Sequence, residues 1–304
     1  MATNPIERAT ALAVSFLARH REWAPAEPVT PQMRELPAAG LSNHSFLLTG
    51  TRRYVLRVAA AAPRAGVNRH RECAFARAAA ASNIGAPVLL CDPSAGVLIT
   101  RHVGEALATV PDAAELAHLL RAIHSLEVDC DASAPSTLQS TLQSTLQSVE
   151  QLATYRACLS DGSPTRQLLD SHATTLERAI ARVAGAPATL RHCHNDLLPA
   201  NLRRLDGRLI AIDWEYAARG DPFFELAVCT SVMTDLRCRD ELLSRYLQRP
   251  PLAAERARFN AQQVIYAAIE SCWHEIYGDS DAVTTGQACQ RLAVRLRESQ
   301  ELRL

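Results

Sequence analysis

Residues 192–216 read HCHNDLLPANLRRLDGRLIAIDWEY. Inside this run His194-x-Asp196 is followed by Asn201, and Asp213 comes after a hairpin pattern turned at Asp206-Gly207. A carboxylate, an amide and a second carboxylate in this order suit phosphoryl transfer from ATP. That reaction needs one carboxylate to take or orient the proton of the acceptor hydroxyl. It also needs oxygen-bearing side chains to hold Mg²⁺ against the phosphates. Asp196 is placed for the first task, and Asn201 and Asp213 for the second. The apolar Leu209, Ile210 and Ile212 put Asp213 at the end of a buried strand. An acid there must be paired, and a metal is the obvious partner. The plain alternative is that these residues cap turns. A zinc site from His192, Cys193 and His194 is a poor alternative, because strand alternation turns Cys193 away from the two histidines.

The elements that must position these residues are legible from pattern. HSFLLTG and TRRYVLRVA form a hairpin around Thr49-Gly50-Thr51, and residues 68–81 form a helix that Asn68 can cap. PVLLCD and GVLITRHV are two further strands joined through the turn-rich residues 92–96. This β-β-α-β-β block predicts a small antiparallel sheet with one helix against it. After residue 110 the pattern turns helical. Leu116, Leu119, Leu120 and Ile123 follow a helical core stripe. A tetrapeptide repeat, STLQ-STLQ-STLQ, occupies residues 136–147 and reads as surface helix or loop without chemistry. ATLRHCH, NLRRL and RLIAID return to strands, and from Pro222 the chain is nearly all helical, broken at Pro250-Pro251.

HNDLLPAN followed by IDWEYA resembles the choline/ethanolamine kinase branch of the aminoglycoside-phosphotransferase-like kinases, and thiamine kinases are similar over the same stretch. The resemblance covers residues ~25–280, though few of its motifs are specific. It implies an α+β, protein-kinase-like bilobal fold, with a small β-rich N-lobe over residues 1–103 and a larger, mostly helical C-lobe over 104–304. It makes Asp196 the catalytic base, Asn201 and Asp213 the Mg²⁺ ligands, and His194 a structural brace. Glu215, in Asp-x-Glu, looks like a second acid near the metal.

The same resemblance extends upstream. Gly40-Leu41-Ser42-Asn43-His44-Ser45 resembles the family's G-x-S-N loop, where small residues let backbone N–H groups approach phosphate. Arg57, between apolar neighbours in Tyr54-Val55-Leu56-Arg57-Val58, stands where many relatives carry Lys. Arg can fork onto two phosphate oxygens. Glu72 resembles the helix glutamate that pairs with this cation. GVLITRHVGE resembles the linker that holds adenine, with backbone groups around Arg101, His102 and Val103 at the base edge. His124 reads as structural. A cationic acceptor would be held by aromatic faces and a carboxylate. Tyr216, Phe223 and Phe224 follow Asp213, while Tyr266, Trp273 and Tyr277 share one late helix. Trp273 and Tyr277 form an i, i+4 pair, and Glu270 shares their face. The second Trp that choline kinases tend to carry is replaced here by His274, Glu275 and Ile276, which keeps other acceptors open.

Composition narrows the field. The 304 residues carry 32 basic and 32 acidic side chains, a formal charge of zero. That argues against sequence-independent nucleic-acid binding and against a polybasic membrane anchor. There is no lysine, so all 32 basic residues are Arg, and a Walker-A P-loop and a lysine Schiff base are excluded. The first 20 residues read as an amphipathic helix (Ile6, Ala9, Ala13, Phe16, Leu17) and not as a signal peptide. Nine scattered cysteines, none in a C-x-x-C pair, suggest reduced thiols in a cytoplasmic protein. The expectation is an ATP- and Mg²⁺-dependent kinase for the hydroxyl of a small cationic alcohol, choline or ethanolamine first. Thiamine kinase, aminoglycoside phosphotransferase and a nucleotide-binding pseudokinase are the alternatives.

Overall fold

The computed structural model describes residues 32–36, 43–49, 52–60, 67–107, 109–128, 145–185, 189–278 and 282–301, with three isolated positions before residue 32. Most of the expected N-terminal helix, Gly40 to Ser42, the Gly50-Thr51 turn and most of the STLQ repeat lie outside these residues. By their contacts the residues form two compact units. The first draws on residues 1–109, 126–142 and 199–217, and the second on 110–125, 143–198 and 218–304. The expected division was a single cut at residue 103. The contacts instead return the hairpin after Asn201 to the first unit.

The first unit is built on a five-stranded antiparallel sheet in the order β1-β2-β3-β5-β4. Its strands are β1 Gln32–Glu35, β2 Asn43–Thr49, β3 Arg53–Ala59, β4 Val88–Asp92 and β5 Val97–Arg101. β1 was not foreseen, because Gln32–Glu35 is short and carries no alternation. Strand alternation sorts the sheet's residues. Phe46, Leu48, Tyr54, Leu56, Val58, Val97 and Ile99 make one buried cluster. Ser45, Val55, Arg57, Leu98 and Thr100 line a cavity instead. Helix α1 (Arg69–Ala81) begins as expected, with the Asn68 side chain accepting from the N–H of His70 and Arg71 at 3.1 Å. Such a cap contributes about 1 kcal/mol. Gly85 lets α1 sit close to the next segment, since a Cβ there would meet the Ala79 Cβ at 2.8 Å.

Two hairpin strands complete this unit, β7 (Leu202–Leu205) and β8 (Arg208–Ala211), turned at Asp206 and Gly207 with φ of 49° and 78°. Positive φ at both central residues is the two-residue hairpin turn that Asp-Gly favours.

In the second unit, β6 (Arg191–Cys193) pairs with β9 (Ala218–Gly220). The rest is helical: α2 (Ala113–His124), α3 (Ser148–Cys158), α4 (Pro164–Ser171), α5 (Ala173–Ala184), α6 (Pro222–Thr230), α7 (Leu236–Leu247), α8 (Ala253–Tyr277) and α9 (Ala282–Glu301). The α2 stripe Leu116, Leu119, Leu120 and Ile123 is buried as expected. Helix α8 runs through the main core, with Val264, Ile265, Ala268 and Cys272 against residues of α3, α5, α6 and α9. Among the described residues, no helix is long and apolar enough to cross a membrane.

The cysteine expectation needs correction. Cys73 on α1 and Cys91 on β4 are joined by a disulfide, with Cα atoms 6.0 Å apart, while Cys158, Cys193, Cys229, Cys238, Cys272 and Cys289 are free. Sequence spacing hid the pair, because helix-to-sheet packing brings together residues 18 apart. A bridge at that separation stabilises by up to about 3 kcal/mol through loop entropy. Reduction, or Cys73→Ser, is therefore expected to lower the unfolding midpoint by several degrees. Thermal unfolding with and without reductant measures it, and an unchanged midpoint would count against the bridge.

Candidate active site

In the first unit, the residues expected around phosphate come together. Arg57, at the centre of β3, forms ion pairs with both Glu72 of α1 and Asp213. The Glu72 side chain is 4% exposed, so its charge requires such a partner. Glu72 also accepts from Arg69 at 2.8 Å. Arg69 lies 3.5 Å from Glu215, and Glu215 accepts from the Asn43 amide at 2.9 Å. Burial, then the charge of Asp213, pushes the Glu215 carboxyl above its ordinary range against the pull of Arg57, Asn43 and Arg69. Sequence reasoning missed Arg69, whose only signal was its position one turn before Glu72.

Asp213 follows β8 with φ of 64°, a left-handed conformation that costs a non-glycine residue about 1–2 kcal/mol. Its charge partner in this structure is Arg57. Asn201 ends a short 3₁₀ turn, and its carbonyl accepts from the Ile212 N–H at 2.9 Å, tying the two metal-ligand candidates to one hairpin. Both line a cavity of about 300 Å³ within this unit, together with Arg57. Val55, Ala86, Leu98, Val103 and Ile212 give it apolar walls, and Arg101, His102 and Gly104 run along its edge. One amide oxygen and one carboxylate on a shared cavity wall are the hard oxygen donors Mg²⁺ prefers. The pair fits that ion.

The second unit holds Asp196, with its loop fixed by backbone hydrogen bonds. The Asp196 N–H donates to His194 Nδ1 at 3.3 Å, and its carbonyl accepts from Leu198 at 2.9 Å. Asn195, just before it, has φ of 65°. Glu225 of α6 sets this turn. One of its oxygens accepts from the N–H groups of His194 at 2.6 Å and Asn195 at 2.9 Å. The other meets His124 Nε2 at 2.6 Å, and His124 Nδ1 meets the Tyr246 hydroxyl at 2.8 Å. Burial alone would raise the Glu225 carboxyl, but His124, His194 and the Asn195 N–H outweigh it and hold the group below its ordinary value. His124 and His194 are both buried. Glu225 and Tyr246 were not foreseen. Cys193 also lies beside His124 and Glu225. Zinc ligands must stand about 3.3 Å apart around the ion, whereas His124 and Glu225 are in direct hydrogen-bond contact at 2.6 Å.

The late aromatics cluster in this same unit. Trp273 and Tyr277 have ring centroids 6.0 Å apart, and Tyr155 of α3 meets Tyr277 edge-on at 6.1 Å. Phe224 and Tyr266 pair in the core at 5.8 Å. Burial, then the charges of Glu270 and Asp196, pushes the Tyr266 phenol well above its ordinary value. Glu270 is not a free carboxylate: both of its oxygens accept from Arg291, at 2.9 and 3.0 Å. Phe223 starts α6, and Tyr216 falls in the first unit with Asp213.

The fold of the chain is that of known phosphotransferases. A choline/ethanolamine kinase family protein from Mesorhizobium loti superposes with a TM-score of 0.67 at 21% identity, covering 96% of this chain and 95% of that one. The choline kinase LicA from Streptococcus pneumoniae gives 0.69 at 18% identity, covering 95% and 99%. Structures of this fold include LicA in complex with AMP and a spectinomycin phosphotransferase in complex with ADP and spectinomycin. Residues 34–260 match the model of the phosphotransferase enzyme family, and the chain belongs to that family. The protein LicA from Haemophilus influenzae is 29% identical over 201 residues, which make up 62% of this chain and 55% of that protein. This chain thus spans little more than half of that relative.

Proposed function

We propose that this protein transfers the γ-phosphoryl group of ATP to the hydroxyl of a small cationic alcohol, choline or ethanolamine first. One observation carries the reading. Arg57, Asn201 and Asp213 line a single apolar-walled cavity, with Glu72 holding Arg57 from behind. Apolar walls suit a purine base, and a cation with two oxygen donors suits its phosphates. Asn201 and Asp213 hold Mg²⁺, which neutralises charge on the phosphates when bound. Arg57, paired with Glu72 and Asp213, turns to phosphate oxygens in the nucleotide complex. Glu72 keeps it in place. Backbone groups at Arg101 and Val103 meet the base edge. Glu215, held by Asn43 and Arg69, is the second acid beside the metal site. Asp196 accepts a hydrogen bond from the acceptor hydroxyl and takes its proton as the new P–O ester bond forms and the bond from the γ-phosphorus to the bridging oxygen breaks, with ADP as the leaving group. Catalysis is then positioning and charge stabilisation.

The acceptor's cationic head rests on the faces of Trp273 and Tyr277, with Tyr216 as a further aromatic candidate. Glu270 acts at one remove, because Arg291 occupies its carboxylate. A cation–π contact contributes about 0.5–2 kcal/mol. Trp273→Ala is therefore expected to raise KM for the acceptor roughly 2- to 30-fold and to leave KM for ATP unchanged. Equal effects on both would point to a packing role.

The test is ADP release by the purified protein with ATP and Mg²⁺ against choline, ethanolamine, thiamine and a set of aminoglycosides. Stimulation by choline or ethanolamine is expected. Stimulation by thiamine alone would move the assignment to thiamine kinase, and stimulation by an aminoglycoside alone would reject the amino-alcohol reading. Nucleotide binding with no turnover on any acceptor would favour a pseudokinase.

A further inference from the structure

Arg203 is a charged side chain beside the apolar residues of the nucleotide cavity, whose lining also carries Glu105 and Asp213. On β7 it shares a face with Leu205, and the hairpin register sets it opposite Ile210. Leu205, Ile210 and Ile212 pack with Ala86 and Val103 into one small apolar cluster. Arg203 is the exception on that face, and it lines the cavity with Ile212 and Val103. An arginine on an apolar face ordinarily carries its head group out to water. Here the head group is tied back to its own loop: Nη1 donates to the carbonyls of Ala200 at 2.7 Å and Leu202 at 2.8 Å. That anchoring fixes the guanidinium before any ligand arrives, so little freedom is lost on contact.

We infer that Arg203 is a nucleotide-binding residue whose guanidinium plane stacks on the purine base. The inference rests on the nucleotide reading of this cavity. Three observations favour the base over the phosphates as its partner. The flanking residues Val103, Ile212 and Ala86 are apolar. The phosphate-binding cation is already supplied by Arg57, fixed between Glu72 and Asp213. A guanidinium is planar and weakly hydrated, so it stacks on aromatic faces where an ammonium does not.

Calorimetric titration of the 304-residue wild-type chain, Arg203→Met and Arg203→Lys with AMP, ADP and ATP in the presence of Mg²⁺ decides the matter. Stacking predicts that the Met variant weakens all three nucleotides by one common factor, roughly 3- to 30-fold. The Lys variant keeps the charge and loses the plane, so it should also lose affinity for all three. A loss that grows from AMP to ATP, or full recovery of ATP binding by Lys, would make Arg203 a phosphate ligand and overturn the inference. Unchanged affinities with a lowered unfolding midpoint would make it a brace of the hairpin and overturn it equally. If the Met variant does not fold, the Lys variant alone separates these outcomes. A wild type that binds none of the three refutes the nucleotide reading itself, and the inference with it. The two failures are distinct, since one shows in the wild type and the other only in the variants.

Discussion

Asp196→Ala is expected to lower kcat by roughly 10²- to 10⁴-fold, the range over which a positioned proton acceptor contributes, and to leave nucleotide affinity unchanged. The reason is local. The loop around residue 196 is held by backbone groups: the 196 N–H on His194 Nδ1, the 196 carbonyl on Leu198 N–H, and Glu225 on the two preceding N–H groups. These bonds run through backbone groups and Glu225, so they remain available in the Ala variant. The cavity assigned to the nucleotide is lined by other side chains, Arg57, Asn201 and Asp213 among them. Steady-state kinetics paired with nucleotide titration would check both halves. Full activity would remove Asp196 from the mechanism, and lost nucleotide binding would mean that its role is structural.

Glu225→Ala should have the largest effect on stability. The wild-type carboxylate is fully buried and satisfies two loop N–H groups and His124 at once. Removing one partner of a buried charged pair costs about 3–5 kcal/mol. With Asn195 held at φ of 65° by this network, the Asp196 loop should loosen as well. Denaturant unfolding measures the loss, and a change below 1 kcal/mol would show that Glu225 is not the anchor. The network also predicts an acid limit. The Glu225 carboxyl is lower in the folded protein than its ordinary 4.5. The unfolded chain therefore binds the proton first. The contribution of Glu225 is complete above about pH 4.5 and is lost as pH falls through the lower folded value. Unfolding free energies of wild type and Glu225→Gln should converge across that acid range and stay parallel above it.

Local pattern carried most of what was legible in the sequence. The alternation in β3 put Arg57 opposite the sheet's core face, the Asn68 cap fixed the start of α1, and Asp206-Gly207 fixed the hairpin. Each follows from spacing within a dozen residues. What escaped depends on pairings far apart in the chain. Glu225 meets residues 101 and 31 positions away, and Tyr246 meets His124 across 122. Nothing in the neighbourhood of either residue signals that partner. The same holds for Cys73 with Cys91, which needed the packing of α1 on the sheet. Asp213 was expected to end a strand beside a metal. The chain stops that strand two residues earlier and turns Asp213 into a left-handed conformation paired with Arg57. Glu270 was legible as sharing a face with Trp273, but Arg291, which neutralises it, sits on another helix.

The most direct measurement is a titration of ATP, with and without Mg²⁺, into the wild type and Asp213→Asn. If Asn201 and Asp213 hold the metal on the triphosphate, Mg²⁺ should tighten ATP binding to the wild type, and the Asn variant should lose most of that gain. ATP affinity that ignores both the metal and the Asp213 charge would contradict the proposed site.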